Sequence, residues 1–158
     1  MINVNLVGNP NTGKTTLYNS LTSSNEHVGN WHGVTVEEKA KSYNYNGKDI
    51  KLVDLPGIYS LSALSFEEEV ATRYILNNKD SCVINICDAN NLERNLYLTL
   101  GLMELGCFVI LAVNQIDRKP LCKINFAKLE KMLVLKVIPV NASDKKSVQR
   151  INDELVKF

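Results

Sequence analysis

Gly8-Asn9-Pro10-Asn11-Thr12-Gly13-Lys14-Thr15 is the stretch from which the fold can be read. It fits the pattern G-x-x-x-x-G-K-[ST] at every fixed position. Before it, Ile2 to Val7 alternates polar and apolar residues and reads as a strand. After it, Thr15 to Thr22 reads as a helix, with Leu17 and Leu21 four apart on one face. A glycine-rich loop in that position points backbone N–H groups at phosphate oxygens, and the helix N-terminus adds a favourable dipole. Lys14 can reach the β- and γ-phosphates, and the Thr15 hydroxyl can ligate Mg²⁺.

Three further motifs follow in chain order, each at the end of an expected strand. Asp54-Leu55-Pro56-Gly57 comes about 40 residues on and supplies an acid that can hold Mg²⁺ through water. The Gly57 N–H can approach the γ-phosphate because no side chain blocks it. Asn114-Gln115-Ile116-Asp117 carries a carboxylate that can accept two hydrogen bonds from the guanine N1–H and 2-amino group. Adenine lacks that donor pair, and such a mismatch costs a factor of about 10⁴ or more. In Asn141-Ala142-Ser143, the Ala142 N–H can meet the guanine O6. Taken singly, these short motifs are common turns; their order and spacing give them weight.

Outward from these loops the pattern alternates. Val36–Tyr45 and Asp49–Val53 flank Asn46-Gly47, a strong hairpin signal. Ser23–Gly33 and Leu55–Leu64 read as loops. Phe66–Leu76 reads as a helix capped by Ser65. Strands at 81–86, 108–113 and 134–140 alternate with helices at 92–105, 126–133 and 145–158. The expected order is β-α-β-β-α-β-α-β-α-β-α: an α/β fold with a six-stranded, mostly parallel sheet, one antiparallel edge strand and helices on both faces.

The chain has 158 residues, which suits a single domain. Its net charge of +1, with no basic block, gives no electrostatic case for nucleic acid as a partner. Cys82, Cys87, Cys107 and Cys122 form no C-x-x-C pair, and reduced, buried thiols are expected. His27 and His32, five apart, read as solvated loop residues rather than a ligand pair. The longest apolar run, 107–113, is far short of the ~20 residues of a membrane helix, so this chain by itself reads as soluble.

Together these residues resemble the translation-factor-like branch of small GTPases. A closer resemblance, to the ferrous iron transport protein B family, rests on three stretches: Gly8 to Leu17, Asp54 to Leu61, and above all Val28-Gly29-Asn30-Trp31-His32-Gly33-Val34-Thr35-Val36-Glu37. Phe66-Glu67-Glu68 with Ala71, Arg73 and Tyr74 adds to it. The sequence departs from the common GTPase pattern at Gln115, where lysine is usual, and at Asn141, where serine or threonine is usual.

The resemblance implies a Ras-like P-loop fold that binds GTP and GDP through residues 8–16, 33–35, 54–57, 114–117 and 141–143. It also implies slow GTP hydrolysis that regulates a ferrous iron transporter. Residues 1–158 then read as a single G domain, on the cytoplasmic face of the membrane. Its partners would be the helical and transmembrane domains of a parent transporter, and homo-oligomerisation of the full-length protein stays open. Loops 25–37 and 55–67 would relay the nucleotide state.

Thr35 can complete the Mg²⁺ shell when the γ-phosphate is present, in the manner of switch loops, or it is an exposed threonine at a strand start. Ile58 stands where Ras-like GTPases have the glutamine that orients water. Catalysis then rests on Lys14, Mg²⁺, loop amides and a further cation. Asn11 resembles the loop asparagine of potassium-activated GTPases, which implies K⁺ binding; the plainer role is loop hydrogen bonding. A soluble switch acting on ribosome or tRNA is the alternative function, and direct Fe²⁺ binding by His27, His32 or loop acids is a weaker third.

Overall fold

The sheet grows from β1 (Ile2–Gly8), whose residues 4–8 are buried. The computed structural model describes residues 1–23, 27–31, 37–115 and 123–158, with backbone alone at 27–30 and 37. After β1 come α1 (Lys14–Thr22), β2 (His27–Asn30), β3 (Glu37–Tyr45), β4 (Lys48–Asp54) and α2 (Phe66–Asn77). A short 3₁₀ turn separates β5 (Cys82–Asp88) from α3 (Leu92–Glu104). The chain closes with β6 (Phe108–Asn114), α4 (Phe126–Leu133), β7 (Lys136–Val140) and α5 (Lys145–Leu155).

The strand order is β2-β3-β4-β1-β5-β6-β7. β1 lies parallel to both β4 and β5, and β6 and β7 continue the parallel run. β3 is the antiparallel strand, paired with β4 on one side and β2 on the other. The six expected strands are all present with one antiparallel among them. β2 is a seventh, inside the stretch expected to be loop, and it takes the edge position from β3. Four residues of a polar, glycine-containing segment carry too little periodicity to show as a strand; main-chain pairing with β3 makes them one.

Parallel strands are apolar on both faces because helices cover both. Val4 and Leu6 pack with Leu17, Tyr18 and Leu21 of α1 and with Val148, Ile151 and Leu155 of α5. On the other face, Val7 and Val53 pack with Ala71 and Ile75 of α2 and Leu98 and Leu102 of α3. Leu111, Val113 and Val137 meet Phe126, Leu129 and Leu133 of α4. Among the described residues, no helix is long and apolar enough to cross a membrane.

Local signals hold where a specific side chain or glycine enforces them. Asn46 and Gly47 both have positive φ, 49° and 79°, as the tight hairpin requires. Ser65 caps α2, its Oγ accepting from the Glu68 N–H at 3.1 Å. Gly106, at φ 78°, ends the turn after α3. The last strand starts later than its β-branched residues suggest. Val134 sits at φ 55° as the left-handed cap of α4, its N–H donating to Glu130 O at 3.0 Å. α5 stops at Leu155, three residues before the expected end.

Candidate functional site

Chain direction reverses about β1. The strand's own hairpin partners lie on one side and β5–β7 on the other. Open α/β sheets form a crevice at such a reversal, outside the carboxyl ends of the strands. Gly8, Asp54, Asn114 and Val140 end β1, β4, β6 and β7 at that edge, so the motifs separated by up to 130 residues of chain come together there.

The first loop is held open by its own backbone. Asn11 has φ 63° and Gly13 φ 89°. Thr12 Oγ1 donates to Asn9 O at 2.8 Å, closing a three-residue turn. A Cβ on Gly13 would lie 2.3 Å from Asn114 Nδ2, so only glycine fits there. A Cβ on Gly8 would lie 2.6 Å from Ile86 Cγ2, which sets the close approach of β1 to β5. Residues Asn9 to Thr16 and Gly57 surround a cavity of about 470 Å³ at the start of α1.

The second loop is hooked onto the first. Leu55 N–H donates to Leu6 O and Ile58 N–H to Gly8 O, each at 3.0 Å. Lys14 Nζ donates to the Asp54 carboxylate, and to Leu55 O at 2.7 Å. Asp54 is 8% exposed, a buried acid at a strand end facing one ammonium. Thr15 is exposed on the cavity wall. A carboxylate and a hydroxyl beside a phosphate-sized cradle are hard oxygen donors that suit Mg²⁺. Ile58 is 1% exposed and packed with Leu55, Ala71 and Ile75, so its side chain belongs to the core and not to the crevice.

The third and fourth motifs are joined by one side chain. Asn114, 3% exposed, donates from Nδ2 to Thr12 O at 3.0 Å. Its Oδ1 accepts from the Ala142 N–H, also at 3.0 Å. This bridge between the phosphate loop and the last loop was not foreseen from sequence, where Asn114 was read only as part of a base-recognition motif. Asn141 turns its Oδ1 onto Ser143, accepting from N at 3.2 Å and Oγ at 2.7 Å. Ser20 Oγ of α1 donates to Ala142 O at 2.5 Å, and Gln115 N–H donates to Val140 O at 2.9 Å.

Gly33, Val34, Thr35, Ile116, Asp117, His32 and Cys122 lie outside the described residues, as does the side chain of His27. Among the described residues, no cluster of three or more histidine, cysteine or acidic side chains could hold a metal ion. Trp31, next to the Gly33–Thr35 stretch, is buried, and its ring meets Tyr74 of α2 edge-on with centroids 4.9 Å apart. That contact anchors the loop after β2 to α2, and only the lone tryptophan in a glycine-rich loop hinted at it.

A family model described as "Ferrous iron transport protein B" matches residues 2–155. The Fe(2+) transporter FeoB of Escherichia coli K12 is 44% identical over 156 residues, taking in 95% of this chain and 20% of that protein. The chain thus spans about a fifth of that relative's length. Among solved structures, the G domain of the T. maritima FeoB iron transporter superposes with a TM-score of 0.91 at 39% identity, over 99% of this chain and 98% of that one. A GDP-bound T35A mutant of S. thermophilus NFeoB gives 0.87 at 45% identity, over 99% and 59%.

Proposed function

Because this chain belongs to the ferrous iron transport protein B family, we propose that residues 1–158 are a single G domain that binds GTP and GDP and hydrolyses GTP, regulating a ferrous iron transporter. The observation that carries this reading is the Asn114 bridge. It joins the phosphate loop at Thr12 to the last loop at Ala142, building phosphate and base recognition as one unit. Family membership disfavours the soluble ribosome- or tRNA-bound switch. The partners on this reading are the helical and transmembrane domains of the parent, at the cytoplasmic face of the membrane, with Fe²⁺ as cargo. Homo-oligomers of the parent are compatible with it.

The chain's residues divide the work. Backbone N–H groups of residues 9–16 and the α1 N-terminus bind the phosphates. Lys14 exchanges Asp54 and Leu55 O for phosphate oxygens when nucleotide enters. Thr15 and Asp54, with Thr35, would hold Mg²⁺, which neutralises charge developing on the phosphates. Asp117 reads the guanine edge. Gly57, close against Pro10, presents its N–H towards the γ-phosphate side of the cradle. Ile58 is locked in the core and cannot orient water, so hydrolysis is slow. Asn11, held at φ 63° on the cavity wall, supports a K⁺ ligand role; the ion would add the positive charge that an arginine supplies in other GTPases.

Competition against a fluorescent GDP tests base choice. GDP should outcompete ADP by about 10⁴, and Asp117→Asn should erase most of that margin. An unchanged margin removes Asp117 from recognition. Phosphate release in K⁺ against Na⁺ at equal ionic strength tests the cation, and equal rates remove it. Fe²⁺ uptake by the full-length parent carrying Lys14→Ala tests the regulatory role, and wild-type uptake refutes it.

A further inference from the structure

Asn9 is 2% exposed, yet neither Oδ1 nor Nδ2 has a hydrogen-bond partner. A buried amide left so costs about 1–3 kcal/mol for each unpaired group. The phosphate loop does not need this side chain, since Thr12 Oγ1 uses the Asn9 backbone carbonyl. Asn9 forms part of a second cavity of about 470 Å³, away from the phosphate cradle, with Tyr59, Ser60, Arg94 and Tyr97. Arg94 lies over the Tyr59 ring, with its Cζ 5.6 Å from the centroid. Among the described residues, Arg94 has no carboxylate partner. Tyr59 and Tyr97 are 52% and 74% exposed, so two aromatic walls stand beside a free guanidinium above an unpaired amide.

We propose that this cleft between the 57–60 loop and the start of α3 is a binding site for a small aromatic carboxylate. The guanidinium face is taken by Tyr59, which leaves its N–H edge for a bidentate carboxylate. The tyrosine walls suit a planar body by offset or edge stacking. The volume lies within the range of small-molecule pockets, about 300–1,000 Å³. A flat apolar partner would bury Arg94 and Asn9 unpaired, which is unfavourable. A polyanion would want more than one cation. Asn9 also borders the phosphate cradle, so a ligand that engages its amide changes the loop that receives nucleotide. That linkage rests on the nucleotide reading above; binding in the cleft does not.

The test uses the 158-residue chain and two probes of one shape, phenylacetate and phenylacetamide, titrated while backbone amide resonances are followed. Phenylacetate should give saturable shifts at Tyr59, Ser60, Arg94 and Tyr97, with a millimolar dissociation constant. Phenylacetamide should bind at least about tenfold more weakly, as loss of a charge-assisted pair implies. Arg94→Gln should weaken phenylacetate by a similar factor and leave GDP affinity unchanged. The proposal is overturned if no saturable shift occurs, if the two probes bind alike, if Arg94→Gln has no effect, or if the shifts map to residues 10–16 and vanish with GDP. GDP binding is scored separately, so the nucleotide reading and the cleft fail independently.

Discussion

Asn114→Ala separates a bridging role from a base-contacting one. The substitution removes the donor to Thr12 O and the acceptor of the Ala142 N–H, both at 3.0 Å. Asn114, Thr12 and Ala142 are 3%, 2% and 2% exposed, so water does not replace the lost partners freely. Each buried backbone group left unpaired costs about 1–3 kcal/mol. Two such groups, softened by loop relaxation, give an expected loss of about 2–4 kcal/mol. For a domain of this size that is a fall of about 5–15 °C in Tm. The measurement is urea and thermal unfolding of the nucleotide-free chain, followed by calorimetric titration with GDP. Asn114→Asp is the control: it keeps the acceptor for Ala142 but sets a carboxylate against the Thr12 carbonyl, and should destabilise at least as much. A loss of stability below about 1 kcal/mol together with a large loss of GDP affinity would refute the bridge and make Asn114 a direct base contact.

Gly13→Ala should abolish GDP binding, because the added methyl would lie 2.3 Å from Asn114 Nδ2 at a residue with φ 89°; Gly47→Ala, with nothing within 4 Å, should cost only the left-handed backbone penalty of about 1–2 kcal/mol. Val134→Gly should stabilise the fold by about 1 kcal/mol, read as a higher midpoint in urea, since a valine that is 87% exposed and at φ 55° contributes strain and little packing. In a Cys122→Ser background at pH 8, iodoacetamide should label Cys107 first. Burial pushes the Cys82 and Cys87 thiols up to about 12 from 9.0, so these should label only on unfolding, as peptide mass mapping would show. Because the folded thiols hold their protons longer than the unfolded ones, their contribution to stability is complete below about pH 9 and declines as pH rises towards about 12; a melting temperature rising over that window would contradict it.

Most of the architecture was legible because its signals are local. A glycine-rich loop between a strand and a helix, an Asn-Gly hairpin and a serine cap each act within a few residues. Their physical requirements, a positive φ or a side-chain oxygen for a free N–H, are written in single positions. The misreadings fall where the chain alone leaves the choice open. β2 is four residues held by pairing to β3. Val134 has the composition of a strand but serves as a helix cap. The end of α5 at Leu155 follows from where the core cluster of Leu155, Ile151 and Val148 ends.

The site divides along the same line. Residue types and spacing alone identify the phosphate loop, the acid at Asp54 and the amide–acid pair at Asn114 and Asp117, because a nucleotide demands those donors and acceptors in that order along the chain. Contacts between distant segments are different, since they depend on which strand lies beside which. Placing β1 between β4 and β5 puts Ile58 in the core, sets Lys14 on Asp54 and lets Asn114 bridge Thr12 to Ala142. The unpaired amide of Asn9 beneath Tyr59 and Arg94 is likewise a product of packing. No periodicity encodes it, because burial of a loop side chain is set by neighbours that arrive from 50 and 85 residues away.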